Sequence, residues 1–283
     1  SDVCSSDLGS PVVRRRIKTG KMPMDYVRAK KNLGQHFLKD QNIARKIVES
    51  LPTREGSPGI LEVGPGMGVL TRYLAERPGA DLKVIEIDRE SVAYLRQHFP
   101  GLGDSLVEGD FLKLPLRDLF PGPFSVIGNF PYHISSQIFF RVLEHRDLIH
   151  GVVGMVQKEV AERISAPPGS KTYGILSVLL QAWYRIEYLF TVGEQVFAPP
   201  PKVKSAVIRL RRNDREALDC DESLFFEVVK CAFNQRRKML GNALKPLGKP
   251  VPEAYAGKRA EQLSPLDFES LTRLIGQWKG GDQ

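Results

Sequence analysis

Cysteine is scarce in this chain of 283 residues. Cys4, Cys220 and Cys231 are odd in number and show no CxxC spacing, which argues against a disulfide framework and against a zinc site, so no metal is expected. A reducing, cytoplasmic setting fits that usage. No apolar run approaches the roughly 20 residues needed to cross a bilayer, so a soluble protein without a membrane partner is expected. The phosphate-cradling pattern GxxxxGK[ST] does not occur. Internal repeats and long low-complexity tracts are missing too, which leaves a globular chain and excludes a solenoid.

What is present is apolar enough to fold and basic enough to suggest a partner. A hydrophobic content of 42% can bury one sizeable core and a second, smaller one. The net charge of +8 favours a polyanion, although the same balance occurs in proteins that merely stay in solution. The opening "SDVCSSDLGS" is polar, lacks the apolar core of a signal peptide and reads as non-native. Residues 1–23 are therefore expected to be a non-native or disordered tail, with Met22 or Met24 as the native start and "RRRIK" of uncertain use.

From Asn42 onward, helix and strand patterns alternate. Ile43, Ile47, Val48 and Leu51 share one helical face, and short apolar runs follow at 59–63, 82–87, 105–109 and 124–128. That order predicts a parallel sheet with crossover helices. Further strands are predicted at 151–156, 186–191 and 203–210, the last two pairing antiparallel at an edge. Beyond "RRNDREALDCDE" the pattern turns helical, with Leu224, Val228 and Cys231 on one face, which places a boundary near Arg212. The expected units are 24–212 and 213–283.

The strand ends carry the chemistry. In "ILEVGPGMGVL" a buried strand stops at Val63, and Gly64, Gly66 and Gly68 turn the chain into a helix, so that backbone can approach a ligand closely. Such a turn alone often serves packing only. Glu86 closes the next strand about twenty residues on, where a carboxylate can hold a ribose diol, while Asp88 suits a helix N-cap. Asp110 and Asn129 end the third and fourth strands. Open α/β sheets bind ligands outside the carboxyl ends of their strands, so these four ends describe one crevice. Glu62 within the first motif would repel a pyrophosphate, and an adenosyl ligand without phosphates suits the crevice better.

Six ordered blocks, "KKNLGQHFLKDQNIARKIV", "LEVGPGMGVLT", "VIEID", "EGDFL", "GNFPYHISS" and "FAPPPKVKSAVIRL", carry a resemblance that runs from about Ala29 to Leu210. The chain resembles the rRNA adenine N6-dimethyltransferases, and "FNQRRKMLGNAL" extends the likeness toward the members that act on small-subunit rRNA. The resemblance implies α/β architecture: a Rossmann-like class I S-adenosylmethionine-dependent methyltransferase with a small C-terminal all-helical domain that binds RNA. It implies methylation of two adjacent adenosines near the 3′ end of small-subunit rRNA by a monomer. It also implies His36, Leu38, Gly64, Glu86, Asp110 and Asn129 as contacts of S-adenosylmethionine. Two residues depart from the family pattern: Phe130 stands where leucine is most frequent, and His36 where many members carry asparagine.

The tetrapeptide Asn129, Phe130, Pro131 and Tyr132 is assigned to catalysis. The exocyclic amine of adenine is a poor nucleophile because its lone pair is delocalised into the ring, so it needs acceptors for its N–H groups. Asn129 offers a side-chain carbonyl, and Phe130 a main-chain carbonyl whose direction Pro131 restricts. Tyr132 offers a face on which a flipped-out base can stack. Phe197 is either a second stacking face or loop packing, and His36 either structural support or a cofactor contact. Lys30, Lys31, Arg236, Arg237 and Lys238 are either solvated faces or phosphate contacts, and the base-modifying motif favours phosphate. The rivals are a large-subunit rRNA methyltransferase of the antibiotic-resistance type and a non-catalytic RNA-binding assembly factor.

Overall fold

A computed structural model describes residues 26–52 and 56–278. The expectations about the tail, the start residue, "RRRIK" and Cys4 fall outside the described residues. Nine strands are formed among those described: β1 (Phe37–Leu38), β2 (Gly59–Val63), β3 (Asp81–Glu86), β4 (Leu106–Glu108), β5 (Phe124–Asn129), β6 (Ile149–Gln157), β7 (Tyr184–Val192), β8 (Phe197–Ala198) and β9 (Ser205–Arg212). Seven of them make one sheet in the order β4-β3-β2-β5-β6-β9-β7. The five strands from β4 to β6 pair in parallel, whereas β9 pairs antiparallel with both β6 and β7. The predicted antiparallel edge is present, with β9 inserted between β6 and β7.

Side-chain alternation divides the core between the two faces of this sheet. Ile60, Val84, Ile127, Val153 and Val207 point to one side, where they pack with α1 (Gln41–Glu49), α2 (Thr71–Ala75) and α3 (Arg89–His98) through Ile47, Leu74, Val92 and Leu95. Leu61, Val63, Val126, Val152 and Ile208 point to the other, against α4 (Ser135–Glu144), α5 (Lys158–Ser165) and α6 (Ile175–Trp183). Helix starts follow their capping residues. Asp40 accepts from Asn42 and Ile43 at α1, and Asp88 accepts from Glu90 at α3.

Beyond Arg212 the described chain is helical: α7 (Glu222–Asn234), α8 (Leu240–Ala243), α9 (Glu253–Ala256) and α10 (Pro265–Gln277). Asp221 caps α7, and Ser264 with Asp267 forms a capping box ahead of Pro265 at α10. Phe225, Val228, Phe268 and Leu271 belong to the same hydrophobic cluster as α6 and the sheet face beneath it. The helical segment thus shares a core with the sheet, where the sequence alone suggested a second, smaller one.

The strand order reverses at β2 and β5: the chain leaves β2 toward β3 and β4 on one side and later returns to β5 on the other. That reversal opens a crevice outside the carboxyl ends of the strands.

Candidate active site

A cavity fills this crevice. Its lining comes from the turn after β2 (Gly64, Gly66), the end of β3 (Glu86, Ile87), the loop after β4 (Asp110, Phe111) and the end of β5 with its continuation (Asn129 to Ile134). A strap leading into β1, Leu33 to Phe37, completes the wall. Gly64 and Gly66 have φ of 67° and 57°, in the left-handed region that favours glycine. A Cβ on Gly64 would meet nothing within 4 Å, so backbone is open to a ligand there, whereas one on Gly66 would strike the Phe37 ring at 2.7 Å.

Glu86 is 4% exposed and stitches two elements together. Its Oε2 accepts from Gly66 N at 3.1 Å, and Oε1 accepts from Ile87 N and Asp88 N, both at 2.9 Å. Burial pushes its carboxyl up, while these three N–H donors favour the ionised form. Asp110 closes its own loop, with Oδ1 accepting from Leu112 N at 3.0 Å.

Glu62 requires a correction. It sits inside β2, 1% exposed, accepts from Thr71 Oγ1 at 2.7 Å and does not line the cavity. Burial raises its carboxyl to about 8, so it is mainly neutral at pH 7 and repels no phosphate. Phosphate is disfavoured for a different reason: the lining contains Glu86 and Asp110 but no lysine or arginine. The same absence suits a ligand with a sulfonium and an ammonium, and the open backbone at Gly64 together with Glu86 fits an adenosyl group.

The strap is held by contacts that sequence patterns do not reveal. Lys30 Nζ pairs with Asp88 Oδ1 at 2.5 Å and with Glu90 at 3.2 Å, and Gln35 Nε2 donates to Asp88 Oδ2 at 3.3 Å. Burial alone would push the Asp88 carboxyl up, but Lys30, Gln35, Glu90 N and Ser91 hold it below the usual carboxylate range. Lys30 is therefore a clip on the strap and not a free cation for phosphate. His133 packs over Gly34, where a Cβ would lie 2.6 Å from its Nδ1.

At the end of β5, Asn129 Nδ2 donates to the main-chain oxygen of His36 at 2.8 Å. Because that oxygen can only accept, the contact orients the amide and leaves Asn129 Oδ1 as an acceptor with no partner among the described residues. The Phe130 ring is fully buried, wedged over Gly128 and Gly154, which face each other across β5 and β6, and meets Phe139 edge-on at 5.9 Å. Its N–H donates to Met155 O at 3.0 Å. The Tyr132 hydroxyl lies 2.6 Å from Ser205 Oγ, and its ring stacks on His36.

The cavity thus gathers His36, Gly64, Glu86, Asp110, Asn129, Phe130, Pro131 and Tyr132. Leu38 and Phe197 lie outside it: they face each other across the two-residue β1–β8 pair and are 5% and 1% exposed. In this arrangement Phe197 presents no free face to a base. Arg236, Arg237 and Lys238 sit in the turn after α7, away from the cavity. Arg236 donates to the Lys171 carbonyl. An antiparallel bridge between Met239 and Arg259 brings a second exposed pair, Lys258 and Arg259, beside this turn.

Helices on both faces of a sheet whose switch point holds a glycine turn and two carboxylates are the build of the Rossmann-like methyltransferases that use S-adenosylmethionine. Comparison with known proteins narrows that class. The chain belongs to the ribosomal RNA adenine dimethylase family, whose model matches residues 26–265. Ribosomal RNA small subunit methyltransferase A of Parabacteroides distasonis is 61% identical over 259 residues, covering 90% of this chain and 96% of that protein. A dimethyladenosine transferase from Plasmodium falciparum has a similar crystal structure, with a TM-score of 0.70 at 27% identity over 83% of this chain and 96% of that one. The 23S rRNA methyltransferase ErmE gives a TM-score of 0.65 at 26% identity, covering 85% of this chain and 100% of its own.

Proposed function

We propose that the chain transfers methyl groups to N6 of two adjacent adenosines in a hairpin near the 3′ end of small-subunit rRNA, giving N6,N6-dimethyladenosine during small-subunit assembly. The observation that carries this reading is the Oδ1 of Asn129, without a partner among the described residues, at a cavity edged by the Tyr132 ring. S-adenosylmethionine, when bound, supplies an electrophilic methyl group on a sulfonium that departs as a neutral thioether. Gly64, Glu86 and Asp110 are its proposed holders, with His36 on the strap above and Leu38 anchoring the end of that strap through its β1 pairing with Phe197. Asn129 Oδ1 and the Phe130 main-chain oxygen accept from the adenine N–H groups and localise the nitrogen lone pair, and the surplus proton leaves to water. No general base is required, and rate comes from alignment and preorganised acceptors in a shielded site.

Tyr132 forms the stacking face for the extruded base. We assign 213–283 to RNA binding, with Arg237 and Lys238 meeting phosphates and Arg236 bracing their turn. The protein is proposed to act as a cytoplasmic monomer on rRNA within the pre-ribosomal small subunit. The relative that is 61% identical is a small-subunit enzyme by name, which favours this substrate over the large-subunit one suggested by ErmE.

The deciding experiment incubates the purified chain and labelled S-adenosylmethionine with undermethylated small subunits and, separately, with large-subunit rRNA. Mass spectrometry should find N6,N6-dimethyladenosine in the small-subunit RNA. Label confined to large-subunit RNA would select the resistance-type activity, and binding without transfer would select an assembly factor.

A further inference from the structure

His36 meets three parts of the site at once. Its main-chain oxygen accepts from Asn129 Nδ2 at 2.8 Å, its ring stacks on Tyr132 with centroids 5.3 Å apart and planes 27° from parallel, and its Nδ1 lies 2.8 Å from Pro199 O. A carbonyl oxygen can only accept, so Nδ1 carries the proton in that last contact. The strap leading into β1, the tetrapeptide at the end of β5 and the proline loop after β8 therefore converge on one residue.

The Tyr132 side chain is held at both ends by this arrangement. Ser205 Oγ, itself buried, pins the hydroxyl, and the His36 ring covers one face. A single anchor at the hydroxyl would leave the ring free to swing about its long axis, and the stack removes that freedom. Two rings already in stacking contact leave no room for a base between them. A base can reach only the face of Tyr132 that His36 does not cover.

We propose that His36 is a positioning residue for methyl transfer, which makes Tyr132 a one-sided platform and locks that platform to Asn129 and to the proline loop. The inference rests on the functional reading above. Side selection matters because a base stacked on the wrong face carries its amine away from Asn129 Oδ1, and a misplacement of about 1 Å can cost a reaction on the order of 100-fold. An asparagine at this position keeps an N–H donor for Pro199 O but has no ring, so the two contacts can be tested separately.

The test compares His36→Ala, His36→Asn and His36→Phe in the full chain by single-turnover transfer to undermethylated small subunits at saturating RNA and S-adenosylmethionine. Cofactor affinity by calorimetry, melting temperature, and the fluorescence of 2-aminopurine placed at a target adenosine are read alongside. His36→Ala and His36→Asn should slow transfer by about tenfold or more, with cofactor affinity unchanged and 2-aminopurine quenching weakened. His36→Phe, which keeps the ring, should recover most of the rate and the quenching. Equal rates for the phenylalanine and asparagine variants would overturn the proposal, and that comparison stands even if the alanine variant fails to fold. A defect that tracks loss of cofactor affinity would also overturn it, leaving His36 a cofactor contact only. Failure of the functional reading is separate: the wild-type chain would then transfer no methyl group to small subunits.

Discussion

The side-chain amide of Asn129 donates to the main-chain oxygen of His36 at 2.8 Å, so the acceptor at the end of β5 is aimed by the strap before β1. The contact needs an N–H at that position. Asn129→Ala removes the acceptor, and Asn129→Asp sets a carboxylate oxygen against a carbonyl oxygen. Both should lower single-turnover methyl transfer by roughly 100-fold, the scale for loss of one preorganised hydrogen bond to a reacting group, while RNA and cofactor affinity change little. An aspartate variant that transfers methyl at the wild-type rate would show that the aim of the amide is irrelevant.

Phe130 illustrates how a motif residue can serve the core. Its ring occupies the notch over Gly128 and Gly154, where a Cβ on Gly154 would lie 2.5 Å from the ring. Phe130→Leu should therefore cost stability by about 1–3 kcal/mol through the space it leaves, yet retain dimethylation because the main-chain oxygen and the N–H bond to Met155 persist. Gly154→Ala should be strongly destabilising alone and much less so in the leucine background. Urea unfolding of the four proteins measures this coupling, and additive losses would mean that the ring does not fill the notch. A product that stops at N6-methyladenosine would show instead that the ring shapes the amine pocket.

Burial of Glu62 makes a prediction about pH. Its carboxyl ionises near 4.5 in an unfolded chain and near 8 in the folded one. Between those values the unfolded state has lost a proton that the folded state retains, so stability falls as pH rises, by up to about 1.4 kcal/mol per unit. Glu62→Gln keeps an acceptor for Thr71 and removes the titration. Denaturation midpoints at pH 5 and pH 8 should differ more for the wild type than for the glutamine variant. Parallel pH profiles would place the Glu62 carboxyl in its ordinary range.

The sheet is legible in the sequence because each of its strands contains a short apolar run, and predicted and observed limits differ by a residue or two, as at 82–87 against Asp81–Glu86. The ends of β2, β3 and β5 are legible for the same reason: Gly64 stops the first run, and Glu86 and Asn129 interrupt the other two. Contacts between distant polar residues leave no such trace. Lys30 and Asp88 are 58 positions apart, and neither lies in a periodic pattern that names the other. Nor does a two-residue pair such as β1–β8 have a period, which is why the burial of Phe197 is invisible until the chain is folded. Glu62 misleads in the opposite way, since its charge is formal in the sequence and suppressed by burial in the structure.

The basic turn after α7 divides into bracing and contacting residues. Arg236 donates to the Lys171 carbonyl and so ties the turn to the loop before α6, whereas Arg237 and Lys238 are exposed and gain Lys258 and Arg259 as neighbours through the Met239–Arg259 bridge. Each phosphate neutralised by a cation releases counterions, and the slope of log affinity against log salt falls by about 0.9 per contact on a duplex. Replacing Arg237 and Lys238 together by alanine should therefore flatten the slope by about 2 for a hairpin RNA, and leave single-turnover transfer at saturating RNA intact. Arg236→Ala should leave the slope nearly unchanged and speed hydrogen exchange in the loop around Lys171. Anisotropy titrations across a salt series read the first effect, and exchange mass spectrometry the second. An unchanged slope in the double variant would make this turn an ordinary solvated surface, and a flattened slope in Arg236→Ala alone would return that guanidinium to the RNA.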